Sequence, residues 1–310
     1  MPVLSLLIPA RNEMWLKRTI EDILAHIESD TEILVGLDGA WADPVIEDHP
    51  RVTILHTSVP IGQRAMTNRL AKLSKARYVM KVDAHCSFDQ GFDRKMIAFF
   101  KEHGHDMIAV PVMRNLHVFD WVCEDGHRRY QGPSGPCAEC GKPTTMDVVW
   151  IPKTRPESTS YCFDAEPHFQ YFRDYTRRPE YKDMKEKHGY TETMSLQGSC
   201  FMVSRHNYWK YEVCDERAGS WGNQGIELAC SAWLSGLRVL VNHNTWYAHL
   251  FRTQGGDFGF PYEQSGREVE KTKKYIRDKF WEKKHPKQIH DVQWLVDKFA
   301  PVPGWEGVVE

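Results

Sequence analysis

The sequence predicts an α/β fold: a mostly parallel sheet flanked by helices, with a small zinc-binding module inserted into it. Three observations carry this expectation. Apolar runs alternate with helical repeats from the first residues, two of the runs end in an aspartate, and a central stretch loses the rhythm and becomes rich in Cys, Gly and Pro.

The elements follow in order. Residues 3–8, VLSLLI, form a continuous apolar run, as expected of a strand buried on both faces. MWLKRTIEDILAHI then repeats Leu16, Ile20, Ile23, Leu24 and Ile27 at helical spacing. TEILVGLDGA is a second strand ending in Asp38-Gly39, and RVTILHT a third; GQRAMTNRLAKLSK reads as a helix and ARYVMKVDAH as the next strand. Such alternation implies a parallel sheet with crossover helices, whose ligands sit at the carboxyl ends of the strands. Asp38 and Asp83 both fall there.

Near residue 114 the rhythm stops, and it returns with MSLQGSCFMVSR, a strand or strand pair. GIELACSAWLSG reads as a helix closed by Gly236, LRVLVNHNTWYAHLFR as a strand running into a loop, and REVEKTKKYIRDKFWEKK and QIHDVQWLVDKF as terminal helices. The expected organisation is 1–113, a ligand-binding half; 114–160, the insertion; 161–265, the second half; and 266–310, the C-terminal helices.

Bulk properties restrict the function. A chain of 310 residues with 41% hydrophobic and 26% charged residues can bury one large core. A formal net charge of -2 excludes a surface coated with nucleic-acid-binding charge but not a local basic face. No apolar run reaches a transmembrane length, and the N-terminus lacks a signal peptide's charged region and cleavage site, so a cytoplasmic protein without a membrane association is expected. In that compartment the 8 cysteines should be thiols or metal ligands.

Two constellations suggest metals. In KVDAHCS, Asp83 and His85 alternate onto one side of an extended chain, and a carboxylate with an imidazole suits Mn²⁺ better than the oxygen cage of Ca²⁺; the competing interpretation is a capped strand end with a buried histidine. In VCEDGHRRYQGPSGPCAECGK, Cys123, His127, Cys137 and Cys140 have the spacing of a closed Cys₃His site for structural Zn²⁺, with Cys162 as an alternative to His127 for the fourth ligand.

LSLLIPARNE, EILVGLDGA and ARYVMKVDAH resemble, in order and spacing, the nucleotide-sugar half of GT-A glycosyltransferases of the family-2 type, and Asp-x-His is the version found in polypeptide N-acetylgalactosaminyltransferases. SWGNQGIELACSAWLSG and WYAHLFR are similar to later motifs of those enzymes. The resemblance implies a GT-A, Rossmann-like fold and a hexosyltransferase using a UDP-sugar, an N-acetylhexosamine by analogy, with Mn²⁺ or Mg²⁺. It makes His249 a third ligand beside Asp83 and His85, and gives Arg252 a contact to the diphosphate. It places Pro9, Asp38, Arg64, Asn68 and Trp221 around the donor, with Asp38 accepting from uracil or ribose. Where relatives carry Glu-Asn or Glu-Asp this chain has Gln224-Gly225. Gln224 cannot serve as a base, Glu227 is the nearest carboxylate, and a retaining, front-face reaction is expected.

The acceptor is expected to be a 5-hydroxymethylpyrimidine in DNA, by analogy with compact phage enzymes that would work in the host cytoplasm. Arg128, Arg129 and Tyr130, and the strip Arg173, Arg177, Arg178, Lys182, Lys185 and Lys187, would hold the backbone. Thr253–Gly266, rich in glycine and aromatics, reads as a lid. The alternatives are the same donor chemistry on a saccharide, lipid-linked or protein hydroxyl, and a non-catalytic zinc-ribbon protein on a degenerate transferase fold.

Overall fold

The computed structural model describes residues 1–252, 258–262 and 266–306. Among them lie strands β1 Leu4–Ala10, β2 Thr31–Asp38, β3 Val52–Thr57, β4 Tyr78–Val82, β5 Cys86–Phe88, β6 Met107–Cys123, β7 Arg128–Tyr130, β8 Thr144–Ser158, β9 Tyr161–Phe163, β10 Phe169–Tyr171, β11 Tyr190–Glu192, β12 Cys200–Ser204 and β13 Arg238–His249. The helices are α1 Leu16–His26, α2 Gln63–Leu73, α3 Phe92–His103, α4 Pro179–His188, α5 Arg205–Lys210, α6 Gln224–Trp233, α7 Gly266–Ile276 and α8 Val292–Phe299. No helix among the described residues is long and apolar enough to cross a membrane.

The main sheet runs β11-β13-β6-β12-β4-β1-β2-β3. The expected parallel half is present: β4, β1, β2 and β3 run parallel, with α2 packed against β1 and β2. β1 and β4 are buried along their whole length, which is why they read as unbroken apolar runs. β12 enters antiparallel between β4 and β6, and the parallel β6–β13 pair continues the sheet. Two cores result, one on each side of the sheet.

The insertion differs from expectation. β6 runs unbroken across the anticipated boundary at residue 114 and pairs antiparallel with β8 in a long arm, with β7 added at its edge. Irregular pairing around Asn115 and Val118, and Trp150 at a φ of 51°, hide the period-two alternation. The inner face of the arm carries Leu116, Val118, Phe119, Trp121 and Trp150, packed with Trp15, Ala248, Leu250 and Phe258 in a third, aromatic cluster. Trp150 also donates to Asp22 Oδ2 at 2.8 Å, which fixes the arm to α1.

The two halves are joined by a buried ion pair. Arg64 on α2 donates to Glu227 on α6 at 2.7 Å, and to the carbonyls of Gly219 at 3.0 Å and Gly222 at 2.6 Å. Both side chains are fully buried. Burial raises the Glu227 carboxyl from its usual range, against the pull of the Arg64 guanidinium. The other Glu227 oxygen accepts from the Asp215 amide at 2.7 Å. Asn68, one helical turn from Arg64, donates to Cys214 O at 3.0 Å and Glu216 Oε1 at 2.8 Å, and accepts from Tyr208 at 2.7 Å. The expectation that Arg64 and Asn68 face a nucleotide is therefore corrected: the 214–227 segment folds over this face of α2 and uses both side chains. Glu227 is likewise a partner of Arg64, away from the cavity described below, and not a reacting carboxylate.

At the start of α6 the backbone approach is closest. A Cβ on Gly225 would lie 1.7 Å from the Leu196 carbonyl oxygen. Gly225→Ala should cost about 2–3 kcal/mol in urea unfolding, whereas Gly266→Ala, which meets nothing within 4 Å, should be close to neutral. Glu227→Ala leaves the Arg64 guanidinium buried without its carboxylate, and should lower stability by about 3–5 kcal/mol in the same measurement.

Candidate active site

The carboxyl ends of β1 and β4 open into a cavity of about 520 Å³. Its lining includes Pro9, Arg11, Glu13, Asp83, His85, His249 and Arg252, together with Leu196, Gln197, Gly198, Trp221, Asn223 and Gln224. Of the expected site residues, Pro9, Asp83, His85, Trp221, Gln224, His249 and Arg252 reach this cavity, while Asp38, Arg64, Asn68 and Glu227 do not.

Sheet pairing brings the distant ligand candidates together. β5 pairs antiparallel with β13, which sets His249 opposite Cys86, and the Leu250 amide donates to His85 O at 3.1 Å. His249 Nε2 lies 3.2 Å from Asp83 Oδ2, and His85 Nε2 3.9 Å from the same oxygen. One ligand atom from each of the three residues falls within 4.8 Å of the others. Burial pushes both imidazoles down to about 4, so they are neutral at physiological pH, the form that ligates a metal. Burial alone would raise the Asp83 carboxyl, but the ammonium of Lys81 and the hydrogen bond from His249 hold it well below the usual carboxylate range. The ligand set fits a divalent ion taking mixed N and O donors, such as Mn²⁺.

Glu13 completes the arrangement, and the sequence reading missed it. Its Oε2 lies 3.2 Å from His85 Nδ1, which orients the ring with Nε2 toward Asp83. Its other oxygen meets the Arg252 guanidinium. Arg252 also donates to Gly259 O and lies over the Phe258 ring at 4.0 Å. Burial pulls its guanidinium down to about 10. Arg11 donates to Pro261 O at 2.9 Å and Asp38 O at 3.0 Å. Arg11 and Glu13 stand at the end of β1, so the strand-end argument used for Asp38 and Asp83 would have found them.

Asp38 is corrected from a nucleotide contact to a buried loop anchor. Its Oδ1 accepts from the Ile61 amide at 2.7 Å and Thr57 Oγ1 at 3.2 Å, and its Oδ2 from the Gly62 amide at 2.9 Å and Tyr262 Oη at 2.5 Å. Of the expected lid, residues 258–262 are described, and Phe260, Pro261 and Tyr262 line the cavity; 253–257 and 263–265 lie outside the described residues. Gln224, also in the lining, reaches Cys214 Sγ with its Nε2 at 3.2 Å, and its buried Oε1 has no hydrogen-bond partner among the described residues.

A second cluster sits at the tip of the arm. His127 Nδ1 lies 3.5 Å from Cys123 Sγ and 3.7 Å from Cys137 Sγ, and Cys140 Sγ lies 3.7 Å from Cys123 Sγ. A zinc tetrahedron with bonds of about 2.0–2.3 Å has edges of about 3.5–3.8 Å, so the residues present fit the ion. Backbone amides of Cys140 and Glu139 pull the Cys137 thiol down to about 6. The Lys142 amide pulls the Cys140 thiol the same way, but burial and the neighbouring sulfurs outweigh it and push that thiol up to about 11. His127 completes this group, whereas Cys162 is buried on β9 within the main core.

Residues 5–122 match the family model described as Glycosyl transferase family 2. The chain is 23% identical over 283 residues to a putative polypeptide N-acetylgalactosaminyltransferase 13 of Drosophila melanogaster, covering 86% of this chain and 44% of the relative. Its fold is similar to that of GalNAc-T7, solved with UDP, GalNAc and Mn²⁺, at a TM-score of 0.69 and 14% identity, over 97% of this chain and 57% of that one. The chain thus spans about half the length of each. Residues 5–122 are thus similar to the glycosyl transferase family 2 model, and the chain as a whole has a GT-A-like α/β fold.

Proposed function

We propose that the protein is a metal-dependent hexosyltransferase that moves a sugar, by analogy an N-acetylhexosamine, from a UDP-sugar to an acceptor hydroxyl. The observation that carries this reading is the convergence of Asp83, His85 and His249 at the wall of a cavity large enough for a nucleotide sugar. Asp83 Oδ2 and the two Nε2 atoms would hold Mn²⁺ or Mg²⁺, which neutralises charge on the diphosphate as it leaves. Glu13 keeps the His85 ring in register. Arg11 and Arg252 supply cations whose present partners include the carbonyls of Pro261 and Gly259. The relative with UDP, GalNAc and Mn²⁺ bound supports the choice of donor and ion.

With Gln224 at the position of a base, the retaining course is the better supported. The bond between the anomeric carbon and the phosphate oxygen breaks, the acceptor oxygen bonds to that carbon from the same face, and the leaving phosphate takes the acceptor proton. Gln224 Oε1, buried without a partner among the described residues, is suited to accept a hydrogen bond from a sugar or acceptor hydroxyl.

A 5-hydroxymethylpyrimidine in DNA is the first acceptor to test, with phage-infected cytoplasm as the setting the analogy implies. Phe169 and Trp221 on the cavity wall support a flat ring presented to the donor. One observation favours the second reading, a saccharide, lipid-linked or protein hydroxyl: much of the positive charge read as a backbone grip has a partner. Arg128 is paired with Asp120 and Asp147, Arg177 with Asp174, and Lys187 with Asp183. Arg178 is spent on the carbonyls of Phe299, Ala300 and Pro301. Structural zinc at Cys123, His127, Cys137 and Cys140 belongs to the same proposal.

His85→Ala should lower UDP-sugar turnover in Mn²⁺ by more than about hundredfold with an unchanged far-UV spectrum; activity within about threefold of wild type would remove the metal role. Mass analysis of hydroxymethylated and plain DNA after incubation with a UDP-sugar panel decides the acceptor, since transfer to a saccharide or peptide alone would leave both unmodified. Elemental analysis should find about one zinc per chain, lost in Cys137→Ser and Cys140→Ser and retained when Mn²⁺ is removed by mild chelation.

A further inference from the structure

The molecule buries one lysine directly behind the metal-ligand candidates. The Lys81 side chain is 0% exposed. It lies in β4, flanked by Leu7 on β1 and Phe201 on β12. Burying an ammonium is costly unless it is paired, and Lys81 has two partners. Its Nζ meets Asp83 Oδ1 and donates to Gly198 O at 2.7 Å. Residues 81 and 83 share one side of the extended strand, so this contact follows directly from their spacing.

The contact divides the carboxylate. Oδ1 is occupied by Lys81, with Gln63 Nε2 3.4 Å away, while Oδ2 faces His249 and His85. The two carboxylates nearest the imidazoles each already face a cation, Asp83 the ammonium of Lys81 and Glu13 the guanidinium of Arg252. A divalent cation entering alone would leave the buried site with two uncompensated positive charges, and a diphosphate would remove that excess.

We propose that Lys81 is a positioning residue for the metal site: it reserves one oxygen of Asp83 for the ion, and by cancelling the carboxylate's charge it makes firm binding of the ion depend on the diphosphate. The proposal rests on the reading of the site as one for a metal ion and a nucleotide sugar. It has two consequences. A carboxylate limited to one oxygen beside two imidazoles disfavours Ca²⁺, which takes more oxygens and often both from one carboxylate. The repulsion between the ammonium and a nearby divalent ion in a partly buried site is worth at least about tenfold in the ion's binding constant. Lys81 also links Asp83 to the Gly198 carbonyl, whose residue packs close to Gln224: a Cβ on Gly198 would lie 3.1 Å from Gln224 Cβ.

The test is titration of Mn²⁺ into the full chain, followed by the electron paramagnetic resonance signal of free Mn²⁺, with and without UDP. Wild type should bind Mn²⁺ weakly alone and at least about tenfold more tightly with UDP. Lys81→Met should bind Mn²⁺ alone at least about tenfold more tightly than wild type, lose most of the UDP enhancement and gain in competition by Ca²⁺. Lys81→Arg, which keeps the cation, should retain the enhancement. The proposal is overturned if Lys81→Met leaves both constants within about twofold of wild type, or if it weakens Mn²⁺ binding without UDP. Wild type that binds Mn²⁺ equally well with and without UDP overturns it with no variant needed. Wild type that binds neither Mn²⁺ nor UDP would overturn the reading of the site itself, a result distinct from the others.

Discussion

The buried pairing of Arg64 with Glu227 is the constraint on which the cavity depends. One guanidinium holds a carboxylate from α6 and two carbonyls of the turn before it, and the carboxylate's second oxygen holds the Asp215 amide. That turn and the start of α6, from Gly219 to Gly225, contribute a continuous stretch of the cavity lining. The parallel sheet alone would supply only the strand-end residues of the cavity. The pair fixes the 219–225 stretch against it at the cost of desolvating two charges, a cost offset because further hydrogen bonds use the remaining donors and acceptors.

The same economy operates at the ligand candidates, where polar groups are arranged in successive layers. Glu13 and Lys81 never meet each other; each holds a different ligand candidate, and each is itself tied to a third group, Arg252 or the Gly198 carbonyl. A side chain held at both ends is placed before any ligand arrives, the kind of preorganisation that the proposed transfer would draw on.

Legibility from the sequence followed the range of the interactions. β1, β2 and β4 were visible because strands buried on both faces show as apolar runs, and Asp83 with His85 because two residues suffice to put them on one side of a strand. His249 was reached only through the family resemblance, since its approach depends on the β5–β13 pairing. Arg64, Asn68 and Asp38 were misjudged for one reason. Each ends a long-range contact, to the 214–227 segment or to Ile61, Gly62 and Tyr262, that leaves no periodic trace. The arm was read as irregular because two breaks in pairing and the left-handed Trp150 disrupt its alternation, although its aromatic face is continuous in space.

The arm leaves the body of the protein along a continuous strand, with two irregularities in its pairing near Asn115 and Val118. β6 is a core strand beside β12 and β13 at one end and the outgoing leg of the arm at the other, so the connection is made of sheet hydrogen bonds and not of a linker. The thiol-and-imidazole tip is thus carried on the same strand that pairs with β13 beside the cavity, like the jaw of a caliper on its beam. Under the proposed transfer, an acceptor large enough to touch both would have to match that span with its own shape, so that molecular size would itself become a criterion of selection.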